Sequence, residues 1–217
     1  MELQPVHGMP ALRADEYLVI GDLHIGIESH LRSKGFHITS RTGDLFDQVV
    51  QAAGDSASKL IVLGDVKDSV PGSTKQEYKE IPVFFDRLLE RFDSVDVVRG
   101  NHDTNIEEFL PGRVKIRPAS GLKIEDTGFV HGHTWPSDNT MDSETLVMAH
   151  NHPVIMFRDG VGRQVNEPCW VRGKFKETGS DRYQVLPKNF IIVPAFNRML
   201  GGYPVNVRGE SLLGPIM

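Results

Sequence analysis

The sequence holds a single cysteine, Cys169, in 217 residues. No intrachain disulfide can form, and a reducing compartment is the expected setting. No apolar run is long enough to span a bilayer. The opening MELQPVHGMPALRADEY lacks a basic segment followed by an apolar one, so export is not expected and the cytoplasm is. No H-E-x-x-H pair occurs, which argues against a helix-borne zinc peptidase. Repeats, low-complexity tracts and a clear linker are also missing, so residues 1–217 are read as one domain. An excess of positive charge is absent as well. Lys and Arg number 24 against 29 Asp and Glu, a net charge of −5, which is not the balance of a general nucleic-acid binder. The distribution is uneven: residues 1–156 carry 15 basic and 24 acidic side chains, and residues 157–217 the other 9 and 5. The basic stretch reads either as ordinary surface charge or as a patch that meets an anionic substrate beside an acidic site.

What is present is a series of short apolar runs. EYLVIGD (16–22), KLIVLGD (59–65) and SVDVVRGN (94–101) read as buried strands, each closed by Gly and a polar residue. TGDLFDQVVQAAG lies between the first two, with Leu45, Phe46, Val49, Val50 and Ala53 on one helical face and Gly54 as the stop. IPVFFDRLLERF lies between the second and third and shows a similar face. Strand and helix in alternation imply parallel strands in an α/β fold. After residue 110 the helical pattern fades. GLKIEDTGFVHGH, ETLVMAHNHP, VIMFRDG and NFIIVPAFN read as strands of a mixed or antiparallel sheet. Two packed sheets with helices outside are expected. The polar segment KDSVPGSTKQEY (67–78) reads as a surface loop, or as a gate over a nearby site.

The residues that end these strands form an ordered set. Asp22 and His24 follow the first, Asp65 the second, Asn101 and His102 the third, His131 the fourth, and His150 and His152 the fifth. Ligands of open α/β sheets bind at the carboxyl ends of strands, so five segments bring Asp, Asn and His to one edge. In extended chain, i and i+2 point to the same side, so each of the pairs Asp22/His24 and His150/His152 is expected to reach one metal together. Asp65, alone on the middle strand, is the natural bridge between two cations. Taken singly, each piece has an ordinary explanation as a turn or a hydrogen-bonded histidine. The joint pattern does not.

The series GDLH, GDVKD, GNHD, VHGH, AHNHP resembles the calcineurin-like metallophosphoesterases, whose motifs it meets in order from residue 21 to 153. GDLHIGIE, EPCW and VPAFN resemble the ICC-like, SbcD-related small phosphoesterases. The resemblance implies a four-layer α/β/β/α sandwich of two mixed sheets flanked by helices, with strands and a basic tail over 154–217. It also implies two divalent ions, manganese first, with Fe, Ni or Zn suited to the same donors. Asp22, His24 and His152 would hold one ion and Asn101, His131 and His150 the other, with Asp65 between them. His102 would be the general acid rather than a ligand, and Asp103 its orienting acceptor. One position departs from the family pattern: Ala149 stands where Gly usually precedes the last His-x-His, and its methyl is expected to crowd the backbone. His133 competes with His131 for the single-histidine motif and is left beside it, in the second shell or on a phosphate. His7, His30 and His37 fall outside the pattern and are expected at the surface.

These readings lead to a metal-dependent phosphodiesterase, with DNA or RNA as candidate substrates. A hydrolase of small phosphoesters or cyclic nucleotides is the alternative enzyme, and a non-catalytic scaffold on the same fold is the alternative of another class. No membrane partner is expected, and a homodimer is left open.

Overall fold

In the computed structural model, residues 1–176, 182–207 and 212–216 are described. Parts of the basic stretch, residues 177–181, 208–211 and 217, therefore lie outside the described residues. The first half of the chain runs β1 (Leu3–Pro5), β2 (Leu12–Ala14), β3 (Tyr17–Ile20), α1 (Ile27–Ser33), α2 (Thr42–Ala53), β4 (Lys59–Val62), α3 (Lys75–Arg91), β5 (Ser94–Val98) and β6 (Lys115–Arg117). Its six strands form one sheet in chain order. β1, β2 and β3 pair antiparallel, and β3 to β6 pair parallel.

The second half runs β7 (Leu122–Ile124), β8 (Thr127–Val130), α4 (Asp138–Met141), β9 (Thr145–Met148), β10 (Pro153–Arg158), β11 (Gln164–Pro168), β12 (Val171–Lys174), β13 (Asn189–Ile192) and β14 (Tyr203–Pro204). A five-stranded mixed sheet has the order β12-β13-β9-β8-β7, with β13, β9 and β8 parallel. VIMFRDG does not join it. As β10 it forms a separate three-stranded sheet with β11 and β14.

Alternation along the strands builds the layers. Leu18, Ile20, Leu60, Val62, Val95 and Val97 face the helices, where Leu45, Val49, Ile81, Phe84, Phe85 and Leu88 cover them. Val19 and Ile61 point the other way and meet Phe129, Val147, Ile191 and Val193 of the second sheet. The outer face of that sheet, with Val130, Leu146, Met148 and Ile192, packs on Met141 of α4, Tyr183, Leu186 and Leu212. The protein is thus an α/β sandwich of mixed sheets whose second outer layer is one helical turn and coil. Among the described residues no helix is long and apolar enough to cross a membrane.

The segment 67–78 is exposed over residues 70–72 and tied down at both ends. Lys67 is fully buried, and its Nζ donates to the carbonyls of Ser69 (2.6 Å) and Gly72 (2.7 Å). Helix α3 begins at Lys75, six residues before the apolar face announces it. Thr74 caps it by accepting from Glu77 N, and the Glu77 carboxylate accepts from Thr74 N (2.5 Å), a capping box.

Candidate metal centre

The parallel strands of both sheets end at one edge, and the chain turns sharply there. Asp22 (φ 57°), His24 (φ 40°), Asp65 (φ 50°), His150 (φ 68°) and His152 (φ 41°) all have left-handed backbone. Side chains adopt that region at a cost of about 1–3 kcal/mol each, although Asp and His tolerate it better than most. Loop-to-loop bonds hold the conformation: Asp22 N donates to Gly64 O (3.1 Å), His24 N to Asp65 O (2.9 Å) and Ile25 N to Val66 O (2.8 Å). The period-2 argument therefore does not apply here. Asp22 and His24 do converge, with His152, but His150 and His152 separate, and His150 joins Asp65 and His131. The donor atoms within each trio lie within 4.8 Å of one another.

Asp65 belongs to the second trio and reaches the first, and a third group of donors, His24, Asp65 and His102, shares its members with both. Asp65 Oδ2 is 3.4 Å from His24 Nε2 and 3.3 Å from His131 Nε2. Its Oδ1 accepts from His102 N at 2.9 Å. Asn101 enters from β5, with Oδ1 3.1 Å from His131 Nε2. His133 lies beside this group, its ring 5.2 Å from that of His131, and belongs to neither trio. His7, His30 and His37 are exposed.

The imidazoles are set for ligation. His131 Nδ1 donates to Leu63 O (2.6 Å), His24 Nδ1 faces Asp68 Oδ1 (3.2 Å), and His152 Nδ1 faces Gly201 O (3.3 Å). An Nδ1 proton spent on an acceptor leaves a lone pair on Nε2. Those lone pairs point at Asp22, Asp65 and Asn101 oxygens 3.1–3.4 Å away. Acceptor against acceptor needs a cation or a proton between. Asp22 Oδ2, His24 Nε2 and His152 Nε2 are buried with no hydrogen-bond partner among the described residues, so a divalent ion fits this nitrogen–oxygen set.

The proton affinities agree. Burial opposes charge on His24, but Asp65 and Asp68 overcome it and raise the imidazole to about 10. His131 is likewise disfavoured by burial and raised by Asp65 to about 9. Burial also opposes charge on Asp65, yet His131 and His24 pull its carboxyl well below the usual range. His150 is lowered to about 4, by burial and then by the neighbouring His131. The carboxylates that attract protons here favour positive charge at this edge.

Asp103 does not orient His102. It is fully buried, and its carboxylate accepts from Val66 N and Gly100 N, both at 2.8 Å. Three residues of tight turn leave the carboxylate facing backbone, where it ties the β4 and β5 loops together. The acceptor on His102 Nδ1 is the carbonyl of Asp68, at 2.6 Å. Asp68 thus steadies both His24 and His102, a role the second Asp of GDVKD could have signalled. Asn197 also went unread. It is buried, and its Nδ2 donates to Leu23 O at 2.8 Å while its N donates to Asp22 O at 3.3 Å. Ala149 crowds nothing, because Gly21 makes room: a Cβ on Gly21 would lie 2.7 Å from the Ala149 methyl.

Two linked trios of His and Asp at the edge of a double mixed sheet define a metallophosphoesterase-type site. The family described as calcineurin-like phosphoesterase matches residues 16–186, and the chain belongs to that family. No curated protein sequence matches it. Among solved structures it is similar to Pseudomonas putida nuclease MPE, at 19% identity and TM-score 0.59, over 100% of this chain and 98% of that one. At that identity the likeness is one of fold. Yfce, a phosphoesterase from E. coli, shares 20% identity over 66% of this chain and 74% of its own, with TM-score 0.37. A metallophosphoesterase from Sphaerobacter thermophilus shares 13% over 88% and 78%, with TM-score 0.41.

Proposed function

We propose that the protein is a di-metal phosphodiesterase, with DNA or RNA as first candidate substrate, in the ICC-like, SbcD-related group of small phosphoesterases, and that the chain works as one catalytic unit. The observation that carries this reading is Asp65 Oδ2, placed between His24 and His131 at 3.4 and 3.3 Å. Asp22, His24 and His152 would hold one ion and Asn101, His131 and His150 the other, with Asp65 as the carboxylate available to both. The chemistry that two divalent cations bring when bound, manganese first and Fe, Ni or Zn as alternatives, is an activated water and neutralised phosphoryl oxygens.

His102 supplies the proton for the leaving oxygen. A ring nitrogen of His102 lies within 4.8 Å of donor atoms of His24 and Asp65. Its Nδ1 proton is held by the Asp68 carbonyl, so Nε2 is the position that gains and gives a proton. The nuclease reading draws support from the P. putida neighbour, described as a nuclease.

A metal-supplemented panel tests this: a chromogenic monoester, a chromogenic diester, cyclic nucleotides, and single- and double-stranded DNA. Diester and DNA cleavage is expected. Cleavage confined to small esters would favour the small-phosphoester hydrolase, which a net charge of −5 suits. Two bound ions with no turnover of any ester would indicate a scaffold. His102→Ala should keep both ions and lose about 10²–10⁴ in turnover of diesters with poor leaving groups. Unchanged turnover of such an ester would remove His102 from the mechanism.

A further inference from the structure

Strand β11 leaves one side of its backbone open. It pairs with β10, and among the described residues no strand lies on its other side. Residues 157–168 are exposed throughout. The bonds of the hairpin settle which groups face the open side. Asp159 N donates to Arg163 O (3.0 Å) and Cys169 N to Pro153 O (2.9 Å), so these two pairs are bonded. Met156 turns its backbone the other way: its N donates to Asn206 Oδ1 and its O accepts from Asn206 Nδ2, both at 2.9 Å. Val154 O accepts from Val205 N at 3.0 Å. Bonded and non-bonded pairs alternate along an antiparallel ladder. Ile155/Glu167 and Phe157/Val165 are therefore bonded, and Arg158/Gln164, Met156/Asn166 and Val154/Pro168 are not. Gln164 and Asn166 each turn an N–H and a C=O to the open edge, and Pro168 turns a C=O alone. The two faces differ as well. Val154, Asn166 and Pro168 line a concavity against the β1–β2 turn, so Phe157 and Val165 look outward. They stand side by side across the hairpin, 57% and 43% exposed.

We propose that this edge pairs with the same edge of a second copy of the chain, antiparallel, with Val165 on the two-fold axis. Contact about a two-fold needs a self-complementary strand, in which i meets j and j meets i. RQVNE (163–167) has that form about Val165. Gln164 stands opposite Asn166 of the second copy, and their outward N–H and C=O groups exchange bonds, as do those of Asn166 and the second Gln164. Val165 meets its own copy as a non-bonded pair, where side chains come closest. With Phe157 beside each, one row of apolar side chains crosses the joined sheet. Arg163 meets Glu167 of the second copy on both sides of the axis, and neither side chain has an ion-pair partner in its own chain among the described residues. A two-fold at Gln164 or at Asn166 fits worse. Val165 then faces the charge of Arg163 or Glu167, and an outward group falls on the turn at Gly162 or on Pro168, which has no N–H. The other open edges are poorer too. β1, β6 and β7 have three residues and β14 two, while β12 has four and carries Arg172 and Lys174, two like charges. β11 has five.

Sedimentation equilibrium of the full chain over a series of concentrations tests this, independently of any catalytic reading. A monomer–dimer equilibrium is expected. Asn166→Pro removes an outward N–H from each copy and keeps the bonds to β10, a change that an edge strand tolerates. It should weaken the dimer about tenfold. Glu167→Arg sets like charges against Arg163 and should leave monomer. Adding Arg163→Glu to it exchanges the two charges and should bring the dimer back. The register is read by oxidation in the Cys169→Ser background, which has no other thiol. Val165→Cys should form an intermolecular disulfide, since a non-bonded pair brings Cα atoms to about 4.5 Å. Gln164→Cys and Asn166→Cys should not. A monomer at every concentration, which is the result if the edge serves a foreign strand, overturns the proposal. So does a dimer that Asn166→Pro and Glu167→Arg leave unchanged, a charge exchange that fails to restore it, or equal cross-linking at the three positions.

Discussion

Gly100 shows how little room the donors leave. A Cβ built there would lie 2.2 Å from Asp65 Oδ1 and 2.3 Å from Asp65 N, both part of the fixed turn that aims the carboxylate. Gly100→Ala must therefore push Asp65 away from His24 and His131. Overpacking of this kind costs about 1–3 kcal/mol. The expected result is a lower melting temperature together with reduced metal content by elemental analysis. Asp65→Asn makes the complementary change, leaving the space and removing the charge that faces both trios. It should lose both ions, and two tightly held ions in that variant would end the bridging assignment. At this scale the sequence disclosed which residue types gather, because GD, GNHD and HxH stand at strand ends. It did not disclose their backbone. Five donors at positive φ, and the parting of His150 from His152, depend on loop-to-loop hydrogen bonds that no local pattern records. Asp103 was misjudged for a related reason: adjacency in sequence to His102 does not place a carboxylate against its ring.

Helix α3 carries the next level. Its first turn, KQEYKE, is polar, so the apolar face begins only at Ile81. The usable signal was T-x-x-E at Thr74–Glu77, which starts the helix a turn and a half earlier. That box also reaches the site. Glu77 Oε1 accepts from Asp68 N (3.0 Å) and Ser69 N (2.7 Å), and Asp68 in turn holds His24 and His102. Two substitutions separate cap from site. Thr74→Ala should cost about 1 kcal/mol, a fall of about 2–4 °C in melting temperature, with turnover per metal-loaded molecule unchanged. Glu77→Ala should destabilise further and also lower turnover at saturating metal, because Asp68 loses its support. Equal turnover in the two variants would show that α3 does not position the site. α2 was more legible, since Leu45 and Val49 fall on its buried face and Gly54 ends it, as a 3.6-residue period and a terminal glycine require.

The donors divide between the sheets. Asp22, His24, Asp65 and Asn101 follow strands of the six-stranded sheet, and His131, His150 and His152 follow strands of the five-stranded one. Sequence alternation made both sheets legible as layers, but β11 and β12 were not, being short, half or fully exposed and without an apolar period. The consequence for the whole molecule is that cations bound there would cross-link two sheets that already meet through apolar contacts such as Ile61, Phe129 and Val147. A ligand at a hundred times its dissociation constant stabilises by about 2.7 kcal/mol, so chelation should lower the melting temperature by about 5–10 °C. Amide exchange should rise on both sides of the joint, in residues 21–24 and 63–66 and in residues 130–132 and 149–152. The β10–β11 hairpin, which packs outside the joint, should not change. Asp65→Asn should already exchange fast there and gain nothing more from chelator. Exchange that quickens on one sheet only would mean that the cations belong to that sheet and do not couple the pair.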